Sequence, residues 1–389
     1  MNLVIEKSGL RDLYDKVVGG ERISDEEALR LFESRDLNAI GAIADFVRQR
    51  KVGNRASYIL NRYINYSNYC ILSCQFCAFA RKKRDADGFE HSVEEIVQKA
   101  REALSLGITE LHIVGGLHPS LPFSYYTGML RALKQLDGRL QLKCFTAIEV
   151  LHLAWLARLS VPDTLAQLKE AGLDSLTGGG AEIFRPAVRS AIAKGKESAA
   201  EYLDVHRTWH KMGGRSTCTM LYGHVESTAD RVDHLRQLRE LQDETRGFTG
   251  FIPLAYQPEN NRIPVQTAPT GFDSLRTLAI SRIYLDNIDH LTAYWIGLGL
   301  KLAQVALSYG ADDLHGTIGE EHIFHMAGSK VPQLQTERAM LAAIREAGRT
   351  PVQRNTFYEA VRVWDASGAA EDAVDGSPTP LLQNNLATA

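Results

Sequence analysis

Between residues 56 and 320, short apolar segments alternate with longer amphipathic ones, and a glycine or polar cluster closes most apolar segments. Residues 111–114 run into Gly115 and Gly116, 173–176 into Gly178, Gly179 and Gly180, and 216–221 into Tyr222, Gly223 and His224. Further strand-like segments are 62–66, 140–145, 248–254, 293–296 and 307–309. The segments between them carry helix signals. Ser92 with Glu95 makes a capping box, an apolar face follows, and Gly107 closes it. Roughly eight strand-then-helix repeats predict an α/β chain, a (β/α)8 TIM-type barrel with additional N- and C-terminal helical segments. A doubly wound open sheet is the alternative, and the even repetition favours the barrel.

The expected boundaries are an N-terminal helical extension at 1–55, the barrel at 56–320, and a C-terminal helical extension and tail at 321–389. In the first segment Leu10, Leu13 and Val17 repeat at helical spacing, and Ser24 with Glu27 makes a second capping box. The stretch 366–389 mixes Gly, Pro, Ser, Asp and Ala and reads as a loosely packed tail or a surface arm.

A net charge of −3 gives no electrostatic grip on nucleic acid or an anionic membrane. No apolar run is long enough for a membrane span, and the N-terminus lacks the pattern of a secretory signal. The expected partner is a small molecule, and the expected location is cytoplasmic. The 5 cysteines suit that location, because three of them crowd into eight positions and form no disulfide framework.

Those three are Cys70, Cys74 and Cys77, in a C-x3-C-x2-C pattern directly after the first expected strand. Soft thiolates suit an iron–sulfur cluster or zinc. A structural zinc site wants a fourth ligand. Three thiolates on four irons leave one iron open. The rival is zinc with His91 or another histidine completing the set, in a nonredox enzyme or a binding protein. Cys144 and Cys218 lie in strand patterns and read as packed small hydrophobes.

The other strand ends carry the remaining candidates. Gly115 and Gly116 permit close backbone approach to a ligand, and His118 follows them. Glu149 ends the third strand as an acceptor for ribose hydroxyls or as a helix cap. Gly179, Glu182 and Arg185 follow the fourth; an arginine there could grip a carboxylate in a fork, or belong to a solvated helix face. Tyr222, His224 and Glu226 follow the fifth, in the layer where a barrel keeps its chemistry.

The cysteine spacing, with Phe76 before the third cysteine, resembles the radical S-adenosylmethionine superfamily. HIVGGLHP at 112–119, FTAIE at 145–149, GGGAEIF at 178–184, MLYGHVE at 220–226, LRELQDET at 238–245 and GADDLHGTIGEE at 310–321 together resemble the aminofutalosine synthase family. The likeness runs from about residue 10 to about residue 358. Thr177, Arg246 and His315 depart from the family pattern, which usually has proline, glycine and aspartate there.

The resemblance implies a [4Fe-4S] cluster on Cys70, Cys74 and Cys77, with S-adenosylmethionine consumed as a co-substrate. Phe76, Gly115, Gly116, Glu149, Gly179 and Glu182 would contact the cofactor. The substrate would be an aromatic dicarboxylate, 3-[(1-carboxyvinyl)oxy]benzoate. The 5'-deoxyadenosyl radical would add to its methylene carbon; aryl migration and decarboxylation would then give 6-amino-6-deoxyfutalosine. Arg185, His118, His224 and Tyr222 are the candidates for holding its carboxylates, and His224 or Glu226 for late proton transfer. The electron would come from a one-electron reductant such as flavodoxin or ferredoxin. A sister activity of futalosine or deazaflavin biosynthesis, using hydrogen abstraction, is the alternative.

Overall fold

The computed structural model describes residues 2–265, 267–364, 370–372 and 379–380. Four helices open the chain: Asn2–Lys7, Arg11–Val18, Asp25–Glu33 and Leu37–Val52. The Ser24–Glu27 and Ser92–Glu95 capping boxes both form, each serine accepting from the N3 amide while the glutamate bonds back to the cap.

The strands among the described residues are β1 (Arg55–Ile59), β2 (Asn61–Ile64), β3 (Glu110–Ile113), β4 (Gln141–Cys144), β5 (Ser175–Leu176), β6 (Arg215–Tyr222), β7 (Phe248–Ala255), β8 (His290–Leu291), β9 (Asp313–Gly316), β10 (Thr350–Arg354), β11 (Glu359–Trp364), β12 (Ala370–Asp372) and β13 (Thr379–Pro380). β2 to β8 form one seven-stranded parallel sheet in chain order. Helices connect its successive strands, as parallel pairing requires. A second sheet runs β12-β11-β10-β1-β9, with β13 also on β11.

The closed eight-stranded TIM-type barrel expected from the sequence is therefore corrected to an open, seven-stranded parallel half-barrel with helices. Among the described residues, a single isolated bridge, Thr292 to Asp313, joins the β8 side to β9. Asp313 accepts from side chains on both sides, and on the β8 side its partner is Thr292 Oγ1 at 2.9 Å. Asp313 accepts from Ser57 on β1 at 2.7 Å and from Arg354 on β10 at 2.6 Å, which ties β9 into the second sheet. The expected strand at 293–296 overlaps the helix Trp295–Leu298, and 307–309 is a turn after the helix Leu300–Ala306. Short apolar runs do not by themselves distinguish the two states. The expected C-terminal helical segment is mixed: the helix Glu337–Glu346 precedes the β10–β11 hairpin. Most of the 366–389 tail lies outside the described residues.

That hairpin plugs the N-terminal end of the half-barrel. In its turn Thr356 donates to Glu110 on β3 at 2.8 Å, and its amide donates to Gln141 on β4 at 2.8 Å. The Tyr358 ring stacks on His290, centres 4.2 Å apart. Glu110, Lys143, Asp313 and Arg354 are all buried at this end. Burial opposes ionisation of Glu110, but Lys143 and the neighbouring cations outweigh it and bring its carboxyl down to about 2. No helix among the described residues is long and apolar enough to cross a membrane.

Candidate active site

The C-terminal ends of the half-barrel strands surround a cavity of about 260 Å³. The loop after β2 supplies Cys70, Cys74, Phe76 and Cys77 to its wall. Gly115 and Gly116 come from the end of β3, Thr146 and Glu149 from β4, and Gly178, Gly179, Gly180 and Glu182 from β5. The cofactor-side residues expected from sequence thus share one cavity.

Backbone and side-chain bonds fix the cysteine loop. Cys70 N–H donates to Arg81 at 2.9 Å, and Ile71 N–H donates to Leu117 at 3.0 Å. Lys82 Nζ donates to the carbonyls of Cys70 and Leu72, each at 2.8 Å, and of Ile71 at 3.1 Å. The two glycines after β3 let this loop approach. A Cβ on Gly116 would stand 2.3 Å from the Tyr69 carbonyl oxygen, and one on Gly115 would meet the Tyr66 ring at 2.5 Å. Burial raises the Cys74 thiol to about 12 and also raises Cys77. A soft cation would reverse that, because thiolates bind it and thiols do not.

Among the described residues, no group of three or more His, Cys, Asp and Glu converges as ligands of one metal ion. This is compatible with a cluster, whose three thiolates bind three different irons. Three soft donors on one wall, facing an open cavity, fit that group.

Glu149 lines the cavity with both oxygens engaged. One accepts from Tyr66 Oη at 2.8 Å and Gly115 N–H at 3.0 Å; the other accepts from the amide and hydroxyl of Thr146. It therefore caps the helix Ala147–Ala157 and fastens it to the β3 turn. Burial raises its carboxyl in spite of these donors. Glu182 is paired with Lys196, from the turn between the helices Pro186–Ile192 and Ala199–Lys211, a residue without a motif around it in the sequence. Lys196 is the one Lys or Arg among the described lining residues.

Five expected residues lie off the cavity wall. His118 is buried against Glu90 at 2.6 Å and accepts from the amides of Ser120 and Leu121. Arg185 is 61% exposed and 3.7 Å from Asp230. His224 accepts from the Val225 amide, and Glu226 takes bonds from the amides of Gly223 and His224 and from Arg231. Tyr222 is buried with Arg231 over its ring. In their place the wall carries Tyr63, His112, Tyr256, Tyr294, His315 and Glu321. Of these, His112 and Tyr63 sit at matched register on β3 and β2. The period-two alternation of those strands was the signal that could have placed them inside.

A parallel half-barrel with three cysteines on the loop after its first strand defines the class: the family model described as "Radical SAM superfamily" matches residues 64–238. A second, "CofH/MqnC C-terminal region", matches residues 245–366. The chain is 44% identical to the aminodeoxyfutalosine synthase of Thermus thermophilus, covering 92% of this chain and 98% of that one. It is 42% identical to the enzyme of the same name from Streptomyces coelicolor, covering 95% and 98%. The cyclic dehypoxanthine futalosine synthase of Streptomyces coelicolor is 40% identical over 95% of this chain and 93% of its own. Among solved structures, the FeFe-hydrogenase maturase HydG from Carboxydothermus hydrogenoformans superposes with TM-score 0.71 at 16% identity, covering 92% and 83%. Methylornithine synthase gives 0.70 at 16% identity, covering 88% and 97%. At that identity the two structures share the fold alone. The chain belongs to the aminodeoxyfutalosine synthase family of the radical S-adenosylmethionine superfamily.

Proposed function

We propose that the chain is an aminodeoxyfutalosine synthase serving the futalosine route to menaquinone in the cytosol. It joins the 5'-deoxyadenosyl group of S-adenosylmethionine to 3-[(1-carboxyvinyl)oxy]benzoate, and aryl migration with decarboxylation yields 6-amino-6-deoxyfutalosine. The observation that carries this reading is identity of 44% and 42% to two enzymes of that name over 98% of each. A [4Fe-4S] cluster on Cys70, Cys74 and Cys77 would supply, when bound, the electron that splits S-adenosylmethionine into methionine and the adenosyl radical. A flavodoxin- or ferredoxin-class protein would deliver that electron.

The remaining tasks fall to the chain's own residues. Glu149, with Thr146, Tyr66 and the Gly115 amide, holds the strand ends in fixed positions beside the cysteine loop. The Lys196 ammonium stands ready for an anionic group on the cofactor side. Ile148, Leu221, Ile252, Leu254 and Phe324 give the cavity apolar walls. Such walls exclude water and offer a radical few polar competitors. Aromatic side chains opposite suit an aryl substrate.

The test is an anaerobic reaction of cluster-loaded protein with reductant, the enol-ether benzoate and S-adenosylmethionine labelled in its adenosyl carbons. Mass spectrometry should find the label in an adduct that has lost one carboxyl group. Label found only in free 5'-deoxyadenosine, with hydrogen removed from the substrate, would assign a sister activity instead.

A further inference from the structure

The cavity wall away from the cysteine loop carries an unusual pair. His112 on β3 and His315 on β9 both line the cavity, with ring centres 6.3 Å apart. His112 is 9% exposed and His315 2%. Each keeps its Nδ1 buried without a hydrogen-bond partner. Buried polar atoms are nearly always satisfied, so two unpartnered imidazole nitrogens on residues that line one cavity point to a ligand there; the nearest carboxylate to His112 Nδ1 is Glu110, at 4.0 Å. Tyr63 organises the pair: its ring stacks on His112 at 4.1 Å, and its hydroxyl stands 3.4 Å from His315 Nε2. His315 is held in the left-handed region at φ 70°, its amide fixed to Asp313 at 2.9 Å. A non-glycine residue persists there only when its surroundings hold it.

We propose that His112 and His315 bind the ring carboxylate of an aryl carboxylic acid substrate, with Tyr63 setting their orientation. The inference rests on the synthase reading and names the substrate end that this wall receives. The imidazoles supply ring N–H donors that a carboxylate can accept. Their charged surroundings are Glu110, Lys143, Asp313, Arg354 and Glu321, with the phenols of Tyr63 and Tyr294. Burial, followed by Lys143 beside His112 and Arg354 beside His315, pushes both imidazoles well below the ordinary histidine range. An arriving carboxylate therefore meets donors without a fixed counter-ion.

Chemistry selects the end. The enol carboxylate leaves as carbon dioxide and gives up its charge on the way. Donors that hold a carboxylate in the ground state oppose that departure, because they stabilise the starting anion more than the transition state. The benzoate carboxylate is retained throughout, so firm bonds to it add affinity and fix the ring without that penalty. Tyr294, ring centre 5.1 Å from His315, and Phe324, 5.3 Å from Tyr294, continue the wall as an aromatic surface for the ring.

The experiment measures equilibrium binding by calorimetry, anaerobically, with cluster-loaded protein and S-adenosylmethionine but no reductant. The ligands are the enol-ether benzoate, its ring-carboxamide analogue and its enol-carboxamide analogue. The unsubstituted protein should prefer the acid to the ring amide by more than about tenfold. His112→Gln and His315→Gln should each weaken binding of the acid by roughly 10- to 100-fold. They should also bring the acid-to-ring-amide ratio toward one and leave the acid-to-enol-amide ratio unchanged. A purely structural role would weaken all three ligands alike. An unchanged ring-amide ratio in both variants, or a collapse of the enol-amide ratio, would overturn the proposal. If either glutamine variant loses its cooperative melt, Tyr63→Phe replaces it, with several-fold weaker binding of the acid alone as the supporting result and equal weakening of all three as the overturning one. Failure of the functional reading looks different: the unsubstituted protein then forms no adenosyl adduct in the labelled reaction, and the inference falls with it.

Discussion

Lys196 Nζ donates a 2.6 Å hydrogen bond to Glu182 Oε1, and each side chain is only 9% exposed. The ammonium also lies 5.2 Å from the centre of the Phe76 ring, between the second and third cysteines in sequence. Burial alone would depress this lysine, but Glu182 and Glu197 outweigh it and hold the ammonium above the ordinary lysine range. The cavity's cation is thus fixed in place before any ligand arrives.

Lys196→Met should therefore strand a buried carboxylate. Removing one partner of a buried pair costs about 3–5 kcal/mol. Thermal or denaturant unfolding of the apoprotein should show that loss, and Lys196→Arg should restore part of it. Equilibrium binding of S-adenosylmethionine to cluster-loaded protein should weaken in the Met variant more than in the Arg variant.

Replacing Cys70, Cys74 or Cys77 by alanine should abolish retention of the cluster. The unsubstituted protein, reconstituted without oxygen, should hold about four irons and four sulfides per chain. Each variant should fall far below that and form no adenosyl product. Tight binding of one zinc ion with full activity would contradict the assignment. Cys144 and Cys218, both fully buried in strands β4 and β6, should tolerate serine or alanine without loss of iron.

The parts legible in the sequence were the local ones. A capping box is complete within four residues, so Ser24–Glu27 and Ser92–Glu95 could be read outright. The cysteine spacing is likewise one loop. Strands β3, β6 and β7 showed as apolar runs closed by glycine or polar residues. β8 and β9 did not, because His290–Leu291 and Asp313–Gly316 are short and polar. Their side chains are satisfied by partners distant in sequence, His290 by Asp312 and Asp313 by Arg354. The same limit explains the catalytic candidates. Tyr222, His224 and Glu226 follow a strand end as active residues do, yet the segment folds back on its own amides and on Arg231. His112 and His315 are 203 positions apart, and only the fold makes them neighbours.

Lys82→Met should loosen the cysteine loop. One ammonium bonds three successive carbonyls of that loop, those of Cys70, Ile71 and Leu72. Hydrogen bonds to a charged group contribute about 1.5–3 kcal/mol each when desolvated, and less at this half-buried position. The expected result is normal folding of the apoprotein with iron lost several-fold faster to a chelator. Lys82→Arg should recover part of the retention. An unchanged rate of iron loss would show that the backbone bonds of Cys70 and Ile71 suffice.

Glu197 should make the fold less stable as pH rises. Both its carboxylate oxygens are buried without a hydrogen-bond partner, and the Arg189 guanidinium stands 3.7 Å away, donating instead to the Glu197 carbonyl. Burial lifts the carboxyl to about 7, against the pull of Lys196 and Arg189. The group's value is raised in the folded state, so between the ordinary glutamate value and about 7 the folded chain binds more protons than the unfolded one. Stability from this group is fully present below the ordinary value and is lost as pH rises through the folded one. Glu197→Gln cannot ionise, so the variant should gain on the unsubstituted protein as pH increases. The difference in unfolding free energy between the two should shift by up to about 3 kcal/mol in the variant's favour from pH ~5 to pH ~8. Denaturant titrations at several pH values measure it directly. A difference that stays flat across that window would mean that Glu197 is ionised and stabilised throughout, with Arg189 and Lys196 as its counter-ions.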